Sequence, residues 1–116
     1  MAKQSPTDHK LHPLELSGRV IAGRWKPLIL WHLYQGPQRF GELHRLVTPI
    51  TRAALTQKLR QLEADGLVAR HVSVEISIRV AYSLTPLGRS TRPILDALMA
   101  WSSDHLDEIR GDLTDE

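Results

Sequence analysis

Three observations predict an α+β domain that is mainly α. Four apolar segments with helical spacing, punctuated by Gly and Pro, fill residues 13–65. Residues 68–84 then switch to period-two alternation, and a last helical stripe follows Thr85-Pro86. A length of 116 residues suits one core but not two.

Residues 1–11 read as an arm, 12–109 as the domain and 110–116 as an acidic tail. The first helix is expected from Pro13 to about Ala22, offers Leu14, Leu16, Val20 and Ile21 for burial, and ends at Gly23. Lys26-Pro27 opens a second, because proline suits a first helical turn where its missing N–H is not needed. The run PLILWHLYQ is apolar nearly all round, as a central core helix should be, and Gly36-Pro37 stops it. A short third helix carries Phe40, Leu43, Leu46 and Val47 up to the break at Thr48-Pro49.

The fourth helix is expected from Thr51, its N-cap, to Asp65. Leu55, Leu59 and Leu62 recur at i, i+4 and i+7 and form one buried stripe. At about 100° per residue the opposite face collects Ala53, Thr56, Gln57 and Arg60, flanked by Arg52 and Lys58. The only acids, Glu63 and Asp65, fall in the last turn, where the helix dipole disfavours them unless a neighbouring base answers. Val68, Val72 and Val74, then Val80, Tyr82 and Leu84, give two antiparallel strands. A long last helix carries Ile94, Leu95, Leu98, Trp101 and Leu106, with a kink expected at Pro93. Two short helices joined by a tight turn and followed by a hairpin make a winged helix-turn-helix with a two-stranded wing and a long C-terminal helix.

Charge points to a polyanion. Residues 1–62 hold ten Lys/Arg against three Asp/Glu, and residues 63–116 five against ten. A carboxylate facing duplex DNA is repelled, so a groove-facing helix needs small, neutral polar and cationic residues, the types on the fourth helix. The candidate DNA-binding set is therefore Thr51, Arg52, Ala53, Thr56, Gln57 and Arg60. Gln57 suits adenine, and Arg60 suits guanine or a phosphate. Arg39 is added as a phosphate clamp, and Arg79 as a wing contact to the backbone or minor groove.

The run GRWKPLILWHLYQGPQRFGELHRLV, continued by LTQKLRQLEADGLVAR and YSLTPLGRS, resembles the HxlR type of winged helix-turn-helix transcription regulators, relatives of the MarR type. The resemblance covers about residues 12–101. It implies a dimeric, bacterial or archaeal DNA-binding regulator. The sequence departs from the family pattern twice: the wing tip VEISIRV lacks the usual paired prolines, and His12 precedes Pro13 where many relatives have cysteine.

A homodimer is expected through Leu14, Leu16 and Ile21 of the first helix and Ile94, Leu95, Leu98 and Trp101 of the last, giving a pseudo-palindromic operator. With no cysteine, neither a disulfide nor a thiolate metal site can form. A regulatory signal is expected from a small-molecule effector held between the first helix, the core and the last helix, with control by abundance as the alternative. The six histidines are scattered and no HExxH, GxSxG or P-loop pattern occurs, so no metal, cofactor or catalytic site is expected. The absence of a long apolar run or a signal-peptide core suggests a soluble, cytoplasmic, nucleoid-associated protein. The rival reading is a winged-helix module that docks proteins instead of DNA. It calls for apolar residues where Thr56, Gln57 and Arg60 stand. RNA binding is disfavoured by an aromatic content of 5%.

Overall fold

Burial of one apolar stripe per helix around the second helix organises the chain, seen in a computed structural model that describes residues 11–74 and 76–110. The expected arm over residues 1–11 and tail over 110–116 lie outside the described residues except for Leu11 and Arg110. The order is α1 (Pro13–Ile21), α2 (Lys26–Leu33), β1 (Gln38–Arg39), α3 (Phe40–Leu46), α4 (Arg52–Ala64), β2 (Val68–Val74), β3 (Ile78–Leu84), α5 (Pro86–Arg89), α6 (Arg92–Asp104) and α7 (Leu106–Arg110).

Ile29, Leu30 and Leu33 of α2 are buried against Leu43, Val47 and Ile50 around the turn after α3, Leu55, Leu59 and Leu62 of α4, and Leu67, Val68 and Leu84 at the base of the hairpin. The absence of a polar face on α2 follows from this central place. Tyr34, just past α2, is tied to Thr91 before α6 by a hydroxyl–hydroxyl bond of 2.6 Å.

β2 and β3 pair antiparallel from Val68↔Leu84 to Val74↔Ile78, the hairpin that the alternation predicts. A third strand was not expected: Gln38 and Arg39 pair with Tyr82 and Ala81, so the sheet order is β1-β3-β2. Two residues are too few to leave a periodic signal. The ribbon is anchored at its base, where Val68 and Leu84 enter the core, and its outer part projects with Val72, Val74 and Ile78 exposed.

The C-terminal helix is not kinked at Pro93. Thr85 Oγ1 accepts from Gly88 N and caps the short α5. The chain breaks at Ser90-Thr91, and Pro93 falls in the first turn of α6, where a proline ring obstructs no preceding turn. The expected stripe is also revised at Leu95, which at 4% exposure belongs to the core and offers no free interface.

Gly88 is where the hairpin base and α5 approach most closely: a Cβ there would run into the backbone carbonyl of Leu67. Gly88→Ala is expected to cost about 1 to 3 kcal/mol of stability through overpacking, read as a lower urea midpoint with an unchanged slope.

Candidate nucleic-acid interface

Leu55, Leu59 and Leu62 are buried, which fixes the rotation of α4 about its axis and turns Ala53, Gln57 and Arg60 to solvent, with Thr56 half-buried beside them. These four line one shallow depression, extended by Gln61 and Ala64. Gln61 and Ala64 were missed in the sequence reading, although the same 100° projection carries the face on to them.

The turn before α4 is held by specific contacts. Thr51 Oγ1 accepts from Ala54 N at 3.0 Å, the N-cap expected of this residue. His44 Nε2 lies 2.9 Å from the Ile50 carbonyl. A carbonyl can only accept, so this nitrogen carries the proton. The His44 ring stacks on Phe40 with centroids 6.3 Å apart and planes within 11°, and the Arg52 guanidinium lies 4.9 Å from the Phe40 centroid. Arg52 is thus seated on α3 while remaining exposed, a cation–π contact across the turn.

The acids at the end of α4 meet bases. Glu63 Oε2 is 3.4 Å from Arg70 Nε on β2, which ties the wing base to α4. Asp65 acts on Lys26, a residue only 7% exposed whose Nζ donates to the Arg19 carbonyl at 3.2 Å. Burial pushes the Lys26 ammonium below its ordinary pKa, Asp65 opposes that shift, and Lys58 and Arg19 reinforce it. Lys26 therefore joins α1, α2 and the end of α4. Sequence patterning had given it only the opening of a helix.

The other expected residues stand apart from the depression. Arg39 is exposed at the junction of β1 and α3, its backbone N–H donating to Glu42 Oε1 at 2.7 Å. Arg79 is exposed on β3 opposite Ser73. Of the apolar set assigned to dimerisation, Leu14, Leu16, Ile94, Leu98 and Trp101 are exposed, and Ile21 is half-buried against the core. Leu16, Ile21 and Ile94 line a common cavity of about 320 Å³ with Asp65, Leu67 and Thr91. It lies between α1, the core and α6, the place expected for an effector. Among the described residues, no group of three His, Cys, Asp or Glu is placed to hold a metal ion, and no helix is long and apolar enough to cross a membrane.

Comparison with known proteins agrees with this architecture. The model of the HxlR-like helix-turn-helix family matches residues 20–110. The HTH-type transcriptional regulator YtcD of Bacillus subtilis is 46% identical over 99 residues, which are 85% of this chain and 79% of YtcD. An HTH-type transcriptional regulator of Methanothermobacter thermautotrophicus is 45% identical over 94 residues, 81% of this chain and 72% of its own. Among solved structures, the redox regulator HypR in its reduced form superposes with a TM-score of 0.81 at 38% identity, covering 86% of this chain and 99% of HypR.

The turn geometry makes a direct claim about Thr51. Thr51→Ala should cost about 1 kcal/mol of stability through loss of the cap, and Thr51→Ser should restore most of it, measured by urea denaturation at equal protein concentration.

Proposed function

The chain belongs to the HxlR-like helix-turn-helix family of transcriptional regulators, and from that premise we propose that it binds double-stranded DNA as a homodimer, with sequence specificity. α4 enters the major groove, and the wing follows the backbone or minor groove. One observation carries this reading: the outward face of α4 presents Ala53, Thr56, Gln57 and Arg60 with no carboxylate among them, while Glu63 is engaged by Arg70. Thr51 and Arg52 lie at the N-terminal end of α4, which a groove-entering helix points toward the bases. Arg39 and Arg79 supply phosphate contacts from either side. The protein acts by binding rather than by catalysis.

The dimer pairs α1 and α6. Leu14, Leu16, Ile94, Leu98 and Trp101 form the exposed part of this surface, with Leu14, Leu98 and Trp101 each more than half exposed, and such a surface is a liability in a monomer. A two-fold pair would set the two α4 helices about 34 to 36 Å apart, one turn of duplex, and select a pseudo-palindromic site. Redox signalling through thiols is closed to a chain without cysteine. The α1–α6 cavity instead offers a place for a small molecule that would bias the equilibrium between two dimer geometries, with control by abundance as the alternative.

Gln57→Ala and Arg60→Ala should each lower specific affinity by about 1 to 3 kcal/mol per lost base contact while leaving the melting temperature nearly unchanged. Titrations of a duplex selected from random sequence, repeated at rising salt, check this. Wild-type affinity should fall steeply through counterion release, and salt-insensitive binding would point to a protein partner instead. For the dimer, sedimentation at micromolar concentration should give twice the mass of one chain, and Leu98→Asp should give a folded monomer.

A further inference from the structure

The wing tip combines features that the reading of α4 does not use. Ile76 is 96% exposed, the most exposed large apolar side chain among the described residues. It shares a small concavity with Ser73, Ser77 and Arg79, so the apolar prong is bordered by two hydroxyls and a guanidinium. The other face of the ribbon carries Val72, Val74 and Ile78, also exposed. Arg79 is the one Lys/Arg between residues 71 and 80, and Glu75, outside the described residues, offsets it in formal charge. Net attraction to phosphates is therefore weak along this ribbon, and any DNA contact it makes must draw on apolar burial and hydrogen bonding.

Reach sets where that contact falls. Arg70 is held to Glu63 at the end of α4, β2 runs on from Arg70 to Val74 at about 3.3 Å per residue, about 13 Å, and Ile76 lies beyond the last pair, Val74↔Ile78. Half a duplex turn, the step from a major-groove site to the next minor groove, is about 17 Å. With α4 in the major groove, a tip beyond those roughly 13 Å of strand comes near the flanking minor groove.

We propose that Ile76 is an apolar wedge that enters the minor groove beside the segment read by α4 and partly unstacks a base step there, with Arg79 and the hydroxyls of Ser73 and Ser77 holding the groove walls. This rests on the reading of α4 as the major-groove helix. A wedge favours steps that unstack easily, so the wing adds specificity for pyrimidine–purine steps at positions that no base-reading side chain touches.

The test uses the full chain and a duplex selected from random sequence by the wild type, carrying 2-aminopurine at the flanking step and a donor–acceptor pair at its ends. Wild type should raise 2-aminopurine fluorescence and shorten the end-to-end distance. Ile76→Ser should bind about 10-fold more weakly, lose both signals and keep the wild-type salt slope. Ile76→Met should retain both signals, and Arg79→Ala should reduce the salt slope by about one. Equal melting temperatures would show that the exposed site has no role in folding. Wild-type affinity and fluorescence in Ile76→Ser would overturn the wedge while leaving the reading of α4 intact, and would hand the apolar ribbon to a protein partner. Failure of the wild type to bind any duplex would overturn both.

Discussion

The rotation of α4 about its axis is the constraint on which the rest depends. Leu55, Leu59 and Leu62 are each no more than 1% exposed, and turning the helix by one residue, about 100°, would expose these side chains and bury Arg60 in one sense or Lys58 in the other without partners. Losing one large buried side chain costs about 2 to 5 kcal/mol, and stranding a cation in the core costs several more. The core thus decides which side chains the outer face presents. Packing and surface chemistry are set by two faces of one helix, and neither face can be re-aimed alone.

Electrostatics secures the ends of that helix. At its start, Thr51 caps a backbone N–H and Arg52 lies over Phe40, linking α4 to α3 across the turn. At its end, Glu63 meets Arg70 and Asp65 acts on Lys26. An exposed ion pair such as Glu63–Arg70 contributes little stability. Its effect is geometric: it couples the direction of the ribbon to that of α4. Lys26 differs because its ammonium is buried and hydrogen-bonded to the Arg19 carbonyl. A change in the packing of α1 therefore meets a charged group that also feels the end of α4.

The main elements were legible because they follow from periodicity and punctuation. The Leu stripe of α4, the Thr51 cap and the β2–β3 hairpin are local patterns. What escaped depends on contacts between distant segments. β1 is two residues long and exists because β3 offers an edge to Gln38 and Arg39. Leu95 looks like its neighbours on a helical wheel, and only the position of α6 against the core distinguishes it from Ile94 and Leu98. Lys26 reads as a first-turn lysine, and its burial depends on where α1 and α4 meet. The misplaced kink at Pro93 has a local cause: Ser90-Thr91 ends α5 before the proline is reached. The face of α4 was readable as a set of residue types, and its extension to Gln61 and Ala64 follows from the same 100° projection carried one turn further.

The base of the hairpin closes on itself. Thr85 N donates to the Leu67 carbonyl at 3.0 Å, Thr85 Oγ1 donates to the Gly66 carbonyl at 2.6 Å, and Gly88 packs against Leu67. Both ends of the ribbon are thereby pinned at one point, and its outer residues 71–74 and 76–79 lie outside the core cluster. Such a closed loop behaves as a cassette: its tip can change in composition or length at small entropic cost, because closure entropy grows only logarithmically with length. A regulator built this way can diversify what its wing touches without renegotiating its fold, which accounts for a tip reading VEISIRV where paired prolines are usual. The ribbon tip should therefore tolerate change more freely than α4, whose inward Leu55, Leu59 and Leu62 are fixed by the core.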